Sequence, residues 1–171
     1  MGPRPRGEDE PSPRLRSGEA VAIVTGGSTG VGRTVANALA GWGWAIVVVY
    51  LEHQRTTEAT VAEILAAGGR IVAVRADLAD DLDVQRLFAE SRTAFASVDV
   101  LVHTTPDSAS LLYEYAARRV RQGGAIASVT AAESVASAVA RMSRERGISI
   151  LRAPPEEILL FLDVWRRTGL G

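Results

Sequence analysis

The chain has 171 residues, 47% of them hydrophobic and 23% charged, with a formal net charge of −1. That length fits one globular domain with a real core and is too short for two ordinary ones. The near-neutral balance gives no basic field for nucleic acid or an anionic membrane surface, and no apolar run approaches the roughly 20 residues of a membrane helix. With no Cys there is no disulfide, thiolate nucleophile or Cys-ligated metal, and His53 and His103 are too few for an all-His site, so no metal is expected. All 19 basic residues are Arg, which excludes chemistry that needs a lysine ammonium or Schiff base.

Residues 1–17 (MGPRPRGEDEPSPRLRS) hold Pro, Arg, Gly and acid with almost nothing apolar. Such a stretch cannot bury enough surface to offset the entropy of ordering, so it reads as a flexible tail ahead of a single domain over 18–171. It lacks the apolar centre of a secretion signal, and Glu8, Asp9 and Glu10 argue against a transit peptide. A soluble cytoplasmic protein is the expectation.

Beyond the tail, short β-branched runs alternate with amphipathic segments. Residues 20–25 (AVAIVT) predict a buried strand that stops at Gly26–Gly27, and 32–42 a helix with Val35, Ala36, Leu39 and Ala40 on one face. Strands follow at 45–50 (AIVVVY) and 70–76 (RIVAVRA), separated by a helix over 56–67 that ends at Gly68–Gly69. A helix over 82–95 is capped by Asp80 or Asp81 and leads to a strand at 98–103 (VDVLVH). Helices over 108–121 and 132–146 flank a strand at 125–129, and a sixth strand covers 148–151. The last helix, 155–167, opens on Pro154–Pro155 with Glu156 and Glu157 in its first turn. Six such units with short loops imply an α/β fold: a Rossmann-type, doubly wound parallel sheet of about six strands with helices on both faces, and a ligand crevice at the C-terminal strand ends.

The first strand runs into Thr25-Gly26-Gly27-Ser28-Thr29-Gly30-Val31-Gly32 and then a helix. Glycines at 26, 30 and 32 permit a tight turn and let backbone N–H groups approach a pyrophosphate at the helix N-terminus. Ser28 and Thr29 add hydroxyl donors suited to phosphate.

These residues resemble the short-chain dehydrogenase/reductase family. TGGSTGVG is similar to its TGxxxGxG loop, GGRIVAVRADLAD to the segment whose Asp77 and Leu78 would meet adenine, and VDVLVH and GGAIASV to its fourth and fifth strands. RERGISILRAPPEE resembles the sixth strand and its following proline, so the likeness runs from Val21 to Leu162. The resemblance implies a dinucleotide site built from Gly26, Ser28, Thr29, Gly30, Val31, Gly32, Tyr50, Arg55, Asp77, Leu78, His103 and Thr104. It also implies hydride transfer between a nicotinamide and a carbonyl or alcohol, with a Tyr as proton carrier, a Lys that lowers its pKa and a Ser that orients the carbonyl.

The chain departs from the family on that last point. It has no Lys, so a YxxxK pair cannot exist, and no Tyr follows Tyr115. Alignment back from Arg146-Gly147-Ile148 puts Thr130 at the lysine position and Ile126 at the tyrosine position. The family's strand-five Ser falls on Ala131, and its NNAG is His103-Thr104-Thr105-Pro106 here. Three substrate-side segments look missing, which marks a shortened and catalytically degenerate member. The catalytic candidates are His103, at the crevice mouth; Thr130, as a hydroxyl; and Tyr115, four residues before Arg119.

An acid at the end of the second strand would take the ribose hydroxyls of NAD, but Tyr50 stands there. With His53 and Arg55 downstream and Glu52 as a contrary charge, the sequence favours NADP(H) over NAD(H). Homo- or hetero-oligomers are expected through helices 108–121, 132–146 or 155–167, the last of which is apolar nearly all round. Three functions stay open: a non-reducing or partner-dependent dinucleotide-binding subunit, an oxidoreductase or redox-neutral enzyme using non-standard residues, and a scaffold with an empty crevice.

Overall fold

Val21–Thr25 form β1, and every residue of it is buried. A strand that is apolar on both faces must lie inside a sheet covered on both sides. The computed structural model, described over residues 19–27, 30–106, 109–129 and 137–168, places β1 at the centre of a six-stranded parallel sheet of order β3-β2-β1-β4-β5-β6. The other strands are β2 (Ala45–Tyr50), β3 (Arg70–Arg75), β4 (Val100–His103), β5 (Ala125–Ser128) and β6 (Ser149–Arg152). The chain winds outward from β1 to β3, returns to β4 beside β1, and winds out the other way. The gap between the C-terminal ends of β1 and β4 is therefore the topological switch point.

The helices are α1 (Gly30–Gly41), α2 (Gln54–Ala66), α3 (Asp81–Phe95), α4 (Ser110–Arg119), α5 (Ser137–Glu145) and α6 (Pro155–Thr168). One face of the sheet packs on Val35 and Leu39 of α1, Ile64 of α2 and Ile158 and Leu162 of α6. The other packs on Val84, Leu87 and Phe88 of α3 and Leu112 and Ala116 of α4. Asp80 caps α3, its side chain accepting from the Asp83 N–H.

One expectation changes. α1 starts at Gly30 rather than at residue 32, because Gly30 itself turns the chain at φ 51° into the first helical turn. On the last helix Ile158, Leu162 and Trp165 face the core, whereas Leu160 is 66% exposed and Val164 50%.

The N-terminal end of the sheet is tied by Asp99, which is 6% exposed. Its carboxylate accepts from the Val21 N–H at 2.7 Å and from the Ser97 hydroxyl at 3.2 Å, and pairs with Arg121. Its own N–H donates to Val21 O and its carbonyl accepts from Ala125, so one residue joins the starts of β1, β4 and β5. Gly124 has to lack a Cβ because one would overlap the Asp99 carbonyl. Arg121 also lies over the Trp165 ring, 5.4 Å from its centroid, and Trp165 meets Trp44 edge-on at 5.7 Å, which anchors α6. Asp99→Ala strands the buried Val21 donor, so chemical denaturation should show a loss of about 2 kcal/mol, and Tm should fall by about 4–8 °C. Asp99→Asn, which keeps an acceptor for Val21, should lose less.

Candidate dinucleotide site

β1 ends in a threonine that is tied to the end of β4 by both its hydroxyl and its carbonyl. Thr25 Oγ1 accepts from the Thr104 N–H at 3.0 Å and lies 3.0 Å from His103 Nδ1, while the Thr104 hydroxyl donates to Thr25 O at 2.6 Å. On the other side of the strand end, the Gly26 N–H donates to Val49 O at 3.1 Å. The turn after β1 is thereby fixed against both neighbouring strands before any ligand arrives.

The glycines follow from that tight seating. Gly26 sits at φ 60°, and a Cβ there would come 2.8 Å from Thr105 Cγ2. A Cβ on Gly32 would overlap the Gly26 carbonyl. Around Gly30 there is open space, with nothing within 4 Å of its missing Cβ. The loop thus closes on itself underneath and leaves the first turn of α1 facing the crevice, where helix N–H groups lack intrahelical partners.

Beside this loop lies a cavity of about 540 Å³ between the ends of β1, β2 and β3. Its wall includes Gly26, Tyr50, Glu52, His53, Asp77, Leu78 and Thr105. Asp77 Oδ1 accepts from the Ala79 N–H at 2.9 Å, and the Asp77 N–H donates to Asp83, so this wall is held by its own loop. Thr105 Oγ1 is buried and has no hydrogen-bond partner among the described residues. A buried hydroxyl left this way is costly unless a ligand completes it. The glycine cradle, the α1 N-terminus and this hydroxyl together fit a dinucleotide: the loop would take the pyrophosphate, and the cavity the adenosine half.

The sequence candidates divide accordingly. Gly26, Tyr50, Asp77 and Leu78 line the cavity; Gly30, Val31 and Gly32 open α1; and Thr104 hooks β4 to β1. His103 is 1% exposed and lies behind Thr25 rather than on the cavity wall. Arg55 is exposed in the first turn of α2 and is not among the lining residues. Tyr115 does not line the cavity either: its hydroxyl donates to Asp81 at 3.2 Å and its ring stacks on Phe88, joining α3 to α4. His53 occupies the N-cap position of α2 at φ 61° without a side-chain capping bond; it is exposed and forms part of the wall. Ser28, Thr29 and Thr130 lie outside the described residues.

One group escaped the sequence reading. His103, Ser128 and Arg152 are register partners across the ends of β4, β5 and β6, so their side chains share one face of the sheet. Tyr113 of α4 covers that row, its ring edge-on to His103 at 5.6 Å. Burial pushes the Tyr113 phenol above its ordinary value of 10.0, against a hydrogen bond with Ser128 and the charge of Arg152, which pull it down. The signal was present, since Tyr113, Ala116, Ala117 and Val120 recur at the spacing of a core-facing helical stripe.

A doubly wound sheet with a glycine-built anion cradle at its switch point defines a nucleotide-binding α/β protein. The family model for short chain dehydrogenases matches residues 20–151, and the chain belongs to that family. It is 42% identical over 83 residues to a 3-oxoacyl-[acyl-carrier-protein] reductase of Synechocystis, a match covering 48% of this chain and 34% of that protein. The match thus spans about a third of this relative's length. A short chain dehydrogenase of Burkholderia cenocepacia in complex with NADP superposes with TM-score 0.66 at 26% identity, over 80% of this chain and 73% of that one. A short-chain dehydrogenase/reductase of Sinorhizobium meliloti shares the fold with TM-score 0.70 at 22% identity, over 84% and 87%.

Because the folded state favours the neutral phenol, unfolded chains release the Tyr113 proton first as pH rises past 10. Its contribution to stability is intact below pH 10 and is lost above it. An absorbance titration differenced against Tyr113→Phe should show this phenol ionising above pH 10. The stability of Tyr113→Phe should also fall less steeply than that of the parent beyond that point.

Proposed function

We propose that this chain is an NADP(H)-binding member of the family that works without the family's Tyr–Lys pair, as a non-reducing or partner-dependent subunit. The observation that carries the binding half is the preassembled cradle, in which Gly26, Gly32, Thr104 and Thr105 interlock beneath an open α1 N-terminus. The catalytic half rests on a sequence without Lys. When bound, the cofactor would supply or accept a hydride; the chain itself offers no ammonium to stabilise a phenolate.

The preference for NADP(H) is supported by Tyr50 at the end of β2, where an acid would repel a 2′-phosphate, and by His53 on the cavity wall with Arg55 two residues on. Glu52 is the contrary charge on the same rim. Association through α4, α5 or α6 belongs to the same proposal, with Leu160 and Val164 as exposed apolar residues on α6. So does a cytoplasmic location; among the described residues, no helix is long and apolar enough to cross a membrane.

A second reading is an oxidoreductase or redox-neutral enzyme using other residues. It draws support from Tyr113, whose hydroxyl can hold a proton beside Ser128 and near Arg152.

Titration with NADPH and NADH, followed by nicotinamide fluorescence and heat, tests the proposal. NADPH should bind saturably and more tightly than NADH, and Gly30→Asp should abolish binding by placing a carboxylate at the phosphate cradle. Tyr50→Asp should shift the preference toward NADH by about ten-fold. Absence of binding by either form at about 1 mM would refute the cofactor site.

A further inference from the structure

At the C-terminal edge of the sheet, Tyr50 of β2 and Arg75 of β3 are register partners. Residues paired across neighbouring strands put their side chains on the same face, so the phenol and the guanidinium rise side by side next to the cavity. Tyr50 is half-buried and lines that cavity, while Arg75 is exposed just outside the wall. The Arg75 side chain is nevertheless tethered: its Nε donates to Leu51 O at 3.1 Å, and Leu51 is a wall residue. That bond holds the guanidinium at the rim where the chain leaves β2.

The backbone beneath Arg75 is fixed as well. The Ala76 N–H donates to Tyr50 O at 2.9 Å. Arg86 of α3 donates to Arg75 O at 2.9 Å and to Asp83 Oδ1 at 2.8 Å, and Asp83 Oδ2 accepts from the Asp77 N–H at 2.8 Å. With its stem and its Nε both held, Arg75 has little rotamer freedom left to lose on binding a ligand. The bond to Leu51 uses one of the five guanidinium N–H groups. Among the described residues, the two terminal amino groups have no acceptor and the Tyr50 hydroxyl has no partner. A planar pair of amino groups matches two oxygens of a phosphate.

We propose that Arg75 is the specificity-determining cation of the crevice: its terminal amino groups clamp the 2′-phosphate of NADP(H), and the Tyr50 hydroxyl donates to a further phosphate oxygen. The inference rests on the NADP(H) reading above and assigns its phosphate contact to a strand residue that the sequence does not single out. Arg55, the cation that the sequence favours, is exposed in the first turn of α2 and has no comparable tether among the described residues. Glu52 opposes a phosphate from the same rim. It is exposed, so water and salt screen its repulsion, whereas paired charge-assisted bonds act at contact and lose less to screening.

Calorimetric titration of the full chain and its variants with NADPH, NADH, 2′,5′-ADP and 3′,5′-ADP tests this. Arg75→Ala should weaken NADPH and 2′,5′-ADP about ten-fold and leave NADH within about two-fold. Arg75→Lys, which keeps the charge but not the fork, should fall between parent and Arg75→Ala. Tyr50→Phe should weaken NADPH about three-fold and spare NADH. Glu52→Gln should tighten NADPH alone, and Arg55→Ala should cost NADPH no more than about two-fold. Equal loss of NADH and NADPH in Arg75→Ala would mean that this residue only shapes the rim through Leu51, and would overturn the proposal. A preference for NADPH that survives Arg75→Ala but is lost in Arg55→Ala would overturn it too, while leaving the cofactor reading intact. Tighter binding of 3′,5′-ADP than of 2′,5′-ADP would also contradict it. Absence of binding by all four ligands would overturn both the inference and the reading on which it rests.

Discussion

The position of one hydroxyl governs the upper half of the molecule. Thr25 Oγ1 accepts from the Thr104 backbone and meets the His103 ring, and the Thr104 side chain returns a bond to the Thr25 carbonyl. These contacts hold the end of β4 against the end of β1 at the point where the sheet reverses direction. The approach leaves no room for a Cβ at Gly26 or Gly32. The glycine pattern is thus a consequence of packing between two strands as well as a provision for phosphate. A loop seated this way needs little reorganisation on binding, and lower reorganisation translates into affinity.

The opposite end of the sheet is built for cohesion. Asp99 gathers the starts of three strands, Arg121 links it to Trp165, and Trp165, Trp44 and Trp42 meet edge to face. Arg166 closes the series over the Trp42 ring at 4.8 Å. The Asp99–Arg121 pair and the three tryptophans tie the N-terminal strand ends, whereas the glycine loop and the Thr25–Thr104 bonds lie at the crevice. This division matches the general rule that α/β sheets bind ligands at their C-terminal strand ends.

The fold was legible because its signals were redundant. Apolar runs such as AIVVVY can only be inner strands, and Gly68 and Gly147, both at positive φ, closed their helices as expected. The glycine loop was legible for the same reason. What the sequence hid were relations across strands. Nothing local shows that Thr25 would bond His103, 78 positions away, or that Thr105 on a cavity wall would have a hydroxyl without a partner among the described residues. The i, i+4 spacing of Tyr115 and Arg119 marks the helix surface, whereas burial and Ser128 set the chemistry of Tyr113, which local spacing does not show. In the last helix, composition alone does not separate Ile158, Leu162 and Trp165, which face the core, from Leu160 and Val164, which face outward.

The central claim is that the switch-point crevice is a working dinucleotide site. Amide hydrogen exchange of the intact chain, with and without saturating NADPH, tests it most directly. The account predicts slowed exchange in the first turn of α1, around Tyr50–His53 and Asp77–Ala79, and at Thr104–Thr105, with α5 and β6 unchanged. Unchanged exchange throughout the crevice, or protection confined to some other surface, would contradict it.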